Sequence, residues 1–420
     1  MNIDELPDLV LEIVFSYLNQ YSDLENVRLV NHRWELHVTE KEGNGAIAKR
    51  CSHSGCYHDG TKKVYIFGGC TDNYTAFNDL WSFDLRSRNW CREFIKCAPF
   101  PRPKAMAIFV PYKEYLILHG GFSKSSPNPI HQAANFFNEI HMYDTIKNEW
   151  IEIETEPSPP IIASHCGCVV DDSLIIFGGS QNSRATNTVY VLDIISKIWH
   201  KPSFTDPQPN PRYGSSCVVL DKSHLLVVGG CGGPNCIYND AWLLLILILR
   251  SYEVLLFKIT NPKAGPSQLW CHPACPIGRN LACISYARKN SGHGTISLNS
   301  YPHPLSLPQR TRFTCNLKYN NGTFGTTSGN SEKNWHYKRR LGNACVYILD
   351  TTRIFKDCTL TWRQQEIDSN APVDTMLYSL CAGRAELIMF GGMHSNMQDD
   401  NHNPFTHAIS NDIYVLSPTR

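Results

Sequence analysis

The chain has 420 residues, 42% of them hydrophobic, with 39 basic against 38 acidic side chains and a formal net charge of +1. That length supports a sizeable core, and so even a charge balance supplies no overall field for nucleic acid or an acidic membrane, so neither partner is expected. The odd count of 17 cysteines, without a basic-then-apolar leader, points to a reducing cytosol or nucleus rather than a disulfide scaffold.

The first predicted elements are helices. In "IDELPDLVLEIVFSYL", Asp4 is placed to cap, Pro7 sits in the first turn, and Leu9, Val10, Ile13, Val14, Tyr17 and Leu18 share one face. In "SDLENVRLVNHRW", Ser22 and Glu25 have capping-box spacing, and Leu24, Val27, Val30 and Trp34 recur at helical intervals. Helices confined to residues 1–40 bury too little apolar area to stand alone. Their surplus apolar surface is either docked on the rest of the chain or offered to another protein. Residues 41–50 read as a linker or a partial closing strand.

From residue 51 to 420 the pattern is one of short strands. Paired glycines close β-type runs at Gly68-Gly69, Gly120-Gly121, Gly178-Gly179, Gly229-Gly230 and Gly391-Gly392, and the first four pairs are 52, 58 and 51 residues apart. After each pair comes an Asn-led strand, and in three units an aspartate precedes a tryptophan by six residues: Asp84 and Trp90, Asp144 and Trp150, Asp193 and Trp199. A phosphate loop needs a helix after its glycines, so the glycines belong instead to a repeated four-stranded meander. Such a sheet leaves two faces uncovered, and stacking the units into a ring covers them. The glycines are expected to permit positive φ and the close approach of a neighbouring aromatic ring.

Two stretches interrupt the period. The run 241–259, "AWLLLILILRSYEVLLFKI", replaces the expected polar turn and the Asp-to-Trp spacing, yet its nine-residue apolar start is far below the roughly 18 residues of a membrane span. Residues 288–340 are rich in Ser, Asn, Gly and Thr, with nine Lys or Arg and one Glu, the composition of a disordered basic insertion. Removing it leaves room for a unit without a glycine pair, built from "CHPAC", "LACISYA", "CVYILDT" and "TLTWRQQ", and makes six blades. The last blade then lacks an outer strand, which is expected from residues before Cys51.

The Gly-Gly, aromatic and spaced-tryptophan pattern resembles kelch-repeat propellers, and no tryptophan is followed by Asp as in the WD type. The fold class is therefore mainly β, a six-bladed kelch-type β-propeller with a small all-α N-terminal unit. In a meander the connections after strands two and four emerge together. The turns on one side, such as "DLRSRN" and "DTIKNE", are short and alike, whereas "FSKSSPNPIHQAANFF" and "MHSNMQDDNHNPFTHAIS" on the other vary, and variable loops on a rigid ring carry recognition. On that side Arg50, Lys104 and Arg212, with Tyr213, are expected to form a basic rim for an acidic or phosphorylated segment, or else are solvated loop charges. Tyr74, Phe77, Phe122, Phe136, Tyr238 and Phe405 are the aromatic contact candidates.

Leu6-Pro7, Ile13, Tyr17-Leu18, Asp23-Leu24, Val27, Val30-Asn31 and Trp34 resemble an F-box. That resemblance implies binding to the adaptor Skp1 through Leu6, Pro7, Ile13 and Leu18, and through it to a cullin and a RING subunit. "FGGCTDNYTAFNDLW", "GGCGGPNCIYNDAWLL" and "LWCHPAC" are similar to the F-box only protein 42 family, which implies a non-catalytic, cofactor-free substrate receptor of a Skp1-cullin-F-box ubiquitin ligase. Two other readings are a kelch scaffold without ubiquitin transfer and a copper-centred propeller oxidase. Against the latter, His53, His119, His165 and His394 are scattered over different blades, and Cys56, Cys168, Cys217, Cys275 and Cys381 read as small buried first-strand residues rather than metal ligands. Cys271, His272 and Cys275 have only loose metal spacing.

Overall fold

The computed structural model describes residues 47–419 apart from 72–74, 96–100, 103, 124–134, 182–183, 205–206, 234–235, 248–252, 260–264, 267–272, 279, 287–311, 320–343, 368–370, 373–374 and 397–405. The predicted helices of residues 1–40 lie outside the described residues. Six four-stranded antiparallel sheets make up the ring. Their inner strands are Ser54–His58, Ile108–Tyr112, Cys166–Val170, Ser216–Val219, Ala274–Ile277 and Ser379–Gly383. Each touches the next and the sixth touches the first, which closes the ring. Among the described residues no helix is long and apolar enough to cross a membrane.

The glycine pairs are joints between blades. Gly68 and Gly69 have φ of 64° and 88°, and the other four pairs repeat these values closely. A Cβ on Gly68 would lie 2.4 Å from the carbonyl oxygen of Lys104, the residue leading into blade two. The Gly69 N–H donates to that same carbonyl at 3.0 Å, and the bond recurs from Gly121 to Ile162, Gly179 to Arg212 and Gly392 to Arg50. Main chain from the next blade thus occupies the space that the missing side chain leaves, joined at Gly120 and Gly391 by the expected neighbouring ring, the imidazoles of His165 and His53 at 2.8 and 2.9 Å.

The spaced aspartate and tryptophan act just beside that joint. The Asp193 carboxylate accepts the N–H groups of Ile195 and Ser196, each at 2.9 Å, and Lys197 takes a positive φ of 62°, so the chain reverses tightly into the outer strand. Trp199 then lies 5.4 Å from the ring of His119, the residue before blade two's glycine pair. Trp150 meets Phe67 at 5.5 Å and Trp90 meets Phe390 at 4.9 Å in the same relation. Each tryptophan therefore seals its blade against the one before it.

Blade four shows what the apolar run 241–259 does. It forms the strands Ala241–Leu247 and Glu253–Ile259. Leu256 pairs with Leu244, the ladder position at which Trp199 pairs with Leu192. Leu256 is buried in one cluster with Phe177 of blade three, so a leucine takes the tryptophan's place in the seal.

Closure differs from the sequence expectation. The outer strand of blade six is Arg312–Tyr319, paired antiparallel with Ile413–Thr419. It comes from within the segment read as a disordered insertion, between the second and third strands of blade five. Composition hid an alternation of Phe313, Cys315, Leu317 and Tyr319 that has the period of a strand. Residues 47–50 form no strand. Instead Ile47 is buried in a cluster with Phe83, Phe390 and Ile413, and the Arg50 N–H donates to the Ser410 carbonyl at 3.2 Å.

Candidate protein-binding face

Beyond four of the five glycine pairs the chain turns back as a short ribbon on one face of the ring, and after Gly68-Gly69 an isolated bridge joins Cys70 to Ala76. The ribbons are Phe122–Ser123 with Asn135–Phe136, Ser180–Gln181 with Arg184–Ala185, Cys231–Gly233 with Cys236–Ile237, and a three-stranded unit of Thr375–Met376, Met393–Asn396 and Thr406–Ile409. Isolated bridges fasten them to the lead-in residues, for example Ala105 to Phe122 and Tyr213 to Cys231.

Next to these bridges a backbone belt runs around the axis. Ser52 donates its N–H to Leu377, Met106 to Ser52, Ser164 to Met106 and Gly214 to Ser164, at 2.8–2.9 Å. All five residues have positive φ, between 53° and 64°. Four of them carry side chains despite the cost of that conformation, which the belt and the following inner strand impose. Side chains gave no sequence signal for it.

The basic rim expected from Arg50, Lys104 and Arg212 is not there, because all three side chains are fully buried and ion-paired. Arg50 donates twice to the Asp79 carboxylate, at 2.6 and 2.8 Å, and to the Gly68 carbonyl at 2.9 Å. Arg212 does the same with Asp240, at 2.5 and 3.1 Å, and with the Gly229 carbonyl at 3.0 Å. Lys104 donates to Glu139 at 2.8 Å. An aromatic ring lies against each cation: Phe77 at 4.4 Å, Phe137 at 5.0 Å and Tyr238 at 4.4 Å. Burial works against ionisation of Asp79, Glu139 and Asp240, yet the neighbouring cations and their hydrogen bonds hold all three below the usual carboxylate range. Burial pulls the Lys104 amine below its usual value, with Glu139 opposing. Such charges are spent inside the protein and are not available to a ligand.

Blade three lacks the whole set. Ile162 takes the cation's place, Thr186 the aromatic's and Thr188 the acid's, and the two threonine hydroxyls bond each other at 2.9 Å. Sequence reasoning missed Asp79, Glu139, Asp240 and Phe137. The signal was the Asn-Asp or Asn-Glu dipeptide, which becomes Asn-Thr in the one glycine-pair unit whose lead-in residue is isoleucine.

Of the remaining candidates, Phe122 and Phe136 face each other across the blade-two ribbon, half-buried, with ring centroids 6.0 Å apart. Phe77 and Tyr238 are half-buried against their fully buried arginines, and Tyr213 is half-buried on its bridge to Cys231. Tyr74 and Phe405, like Leu6, Pro7, Ile13 and Leu18, lie outside the described residues. Arg184, Asn135 and Ile237 are exposed on the ribbons and were not singled out by the sequence.

The opposite face is cross-tied through its short turns. His58 bonds the Lys113 carbonyl at 2.7 Å, Tyr112 and Lys113 both bond Asp172 at 2.7 Å, and Arg88 bonds Glu386 at 2.6 Å. Each tie joins neighbouring blades, so the polar groups there serve the ring.

The histidines are less scattered than their spacing suggests, since His119 Nδ1 and His165 Nε2 meet at 3.1 Å across the joint of blades two and three. Burial lowers both, His165 to about 3 and His119 well below its usual value. Burial, with the Arg50 charge, takes His53 to about 3. Cys56, Cys168, Cys275 and Cys381 are buried and Cys217 half-buried. Burial pushes the Cys381 thiol to about 12, which disfavours the thiolate that a metal or a nucleophilic reaction requires. Cys271 and His272 lie outside the described residues, among which no three His, Cys, Asp or Glu residues group as a metal site.

Residues 50–248 match the family model described as FBX42, beta-propeller domain. The chain is 24% identical to mouse (Mus musculus) Kelch domain-containing protein 1 over 65% of its own length and 71% of that protein's. It is 27% identical to human (Homo sapiens) host cell factor 1 over 47% of its length, but spans only 11% of that much longer protein. The solved structure of YjhT superposes with a TM-score of 0.51 at 13% identity, covering 87% of this chain and 99% of that one. This last likeness is one of fold alone.

Proposed function

We propose that this kelch-type β-propeller chain is the substrate receptor of a Skp1-cullin-F-box ubiquitin ligase, working in the cytosol or nucleus. Residues 1–40 bind Skp1 through Leu6, Pro7, Ile13 and Leu18, and the ribbon face of the ring holds the protein to be ubiquitinated. The observation that carries this reading is a juxtaposition: the match to the FBX42 propeller begins at residue 50, directly after the F-box-like pattern.

The ring's geometry supports the division of labour. Its short-turn face carries ties between neighbouring blades beside the exposed turn residues Ile146 and Ile195, while the ribbon face presents half-buried aromatics on loops of varying length held by a closed, rigid support. With its three candidate cations buried, that face selects a protein surface through Phe122, Phe136 and their neighbours rather than through a phosphate clamp. The chain contributes proximity. Transfer of ubiquitin to a substrate lysine belongs to the conjugating enzyme that the assembly recruits.

Affinity purification of the full chain beside one lacking residues 1–40 tests the reading. The full chain is expected to bring down Skp1 and a cullin, and the shortened chain neither, while both retain the same further proteins as substrate candidates. Absence of Skp1 and cullin from the full-chain sample contradicts the ligase role and favours a kelch scaffold.

A further inference from the structure

The inner strands of blades three and four bring three thiols together. Cys166 and Cys168 lie two residues apart on Cys166–Val170, so they face the same side of that strand, and Cys217 lies on Ser216–Val219, the inner strand that touches it. The sulfurs of Cys168 and Cys217 are 3.7 Å apart, and Cys166 Sγ is 3.5 Å from the hydroxyl of Ser215. A disulfide sets its sulfurs about 2 Å apart, so closing this pair takes less than about 2 Å of sulfur movement. The two backbones are already held together just ahead of the thiols, because the belt bond from Gly214 to Ser164, at 2.8 Å, leads directly into both strands. Cys51 and Cys70 also approach, at 4.0 Å, but both are buried, whereas Cys217 is half-buried and gives a small oxidant a way in.

We propose that Cys168 and Cys217 form a reversible redox clasp between blades three and four, open as two thiols in a reducing environment and closed to a disulfide by a peroxide. On closure two S–H bonds and the peroxide O–O bond break, while one S–S bond and two molecules of water form, so the sulfurs are oxidised as the peroxide is reduced. A small thiol such as glutathione reopens the clasp by exchange and leaves as its own disulfide. Closure links positions 49 residues apart and pins the joint at which Leu256 stands in for the sealing tryptophan. A hydrogen bond with Cys166 pulls the Cys217 thiol down, but its bond with Cys168 and burial outweigh that and raise it well above its usual value. Thiolate is therefore scarce at neutral pH, and closure quickens as pH rises. This proposal does not depend on the ligase reading, because it concerns the interior of the ring.

The test exposes the purified, fully reduced chain to hydrogen peroxide at pH 7, 8 and 9, then alkylates the remaining thiols and maps the peptides without reduction. A pair of peptides linked through Cys168 and Cys217 is expected, forming about tenfold faster for each pH unit and disappearing on treatment with glutathione. In Cys168→Ser the link is expected to pass to Cys166, and in Cys217→Ser both Cys166 and Cys168 are expected to be recovered alkylated. Recovery of Cys168 and Cys217 unlinked at every pH, or a link that appears only once urea has unfolded the ring, overturns the proposal. So does indiscriminate pairing across the 17 cysteines.

Discussion

Blade one and blade three make the same joint with different side chains. In both, a glycine N–H of the preceding blade donates to the lead-in carbonyl, Gly392 to Arg50 at 2.9 Å and Gly121 to Ile162 at 2.8 Å. Blade one then fills the space beneath with Arg50, Phe77 and Asp79, whereas blade three uses Ile162, Thr186 and Thr188. The backbone clasp is therefore shared by the two blades, and the buried ion pair is one way among others to fill the volume behind it. Charge at that position is a structural choice, which is why it says nothing about the ligand.

The largest expected effect comes from protons, and it falls on both blades. His53 and His165 hold their positions as neutral rings, lowered to about 3, and His141 is lowered by burial to about 4. Above pH 6.5 these histidines are neutral whether the chain is folded or not. Below it the unfolded chain binds protons that the folded ring refuses, so stability falls progressively toward pH 4, by up to about 1.4 kcal/mol per pH unit for each histidine. Urea unfolding at pH 7, 6, 5 and 4 checks this, and a midpoint unchanged to pH 5 contradicts it. Replacing Arg50 removes one cause of the His53 shift, so its titration is expected to move upward while that of His165 stays in place.

Next in size is the ion pair itself. Asp79→Ala leaves the Arg50 charge buried without its partner and is expected to cost about 3–5 kcal/mol. Converting blade one to blade three's solution, with Arg50→Ile, Phe77→Thr and Asp79→Thr together, is expected to cost clearly less, since no charge is stranded. Equal losses in urea denaturation would show that the two blades are not alternative fillings of one joint.

Smaller effects sharpen the role of the clasp. Gly69→Ala places a Cβ 2.7 Å from the Cβ of His53 and 2.8 Å from the Cys51 carbonyl oxygen, so it adds a clash to the cost of a left-handed residue and is expected to lose about 2–3 kcal/mol. Gly278→Ala, at φ 61° with nothing within 4 Å, carries only the conformational part, about 1 kcal/mol. Thermal unfolding of the pair separates the two contributions. Trp199→Leu, which copies the seal of blade four, is expected to cost about 1–3 kcal/mol for the volume lost against His119, and no loss would mean that the tryptophan does not seal the joint.

Much of the ring was legible because its signals are local. The glycine pairs, the Asp-to-Trp spacing and the "LACISYA" and "CVYILDT" strands each lie within a few residues, and they locate all six blades. The fate of Arg50 was not legible in the same way, because its acid lies 29 residues away and only comparison between units pairs them. Strand 312–319 was masked by the basic, polar composition around it, although its own alternation was present. Four of the five positive-φ belt residues are Ser, Met or Leu, types that advertise no such conformation. Of the candidate face, the ribbons of Phe122 and Phe136 were anticipated as variable loops, and the exposed Arg184 and Ile237 follow only from the fold.

In the proposed function, residues 1–40 recruit a ligase and the ring selects its substrate. That division is tested most directly by measuring equilibrium binding of purified Skp1 to the full chain and to the Leu6→Ala, Pro7→Ala double variant. A saturable complex with the unaltered chain, its loss in the variant, and the same melting temperature for both rings are expected. Equal Skp1 binding by the two chains, or a melting temperature lowered in the variant because these residues are packed against the propeller, would contradict it.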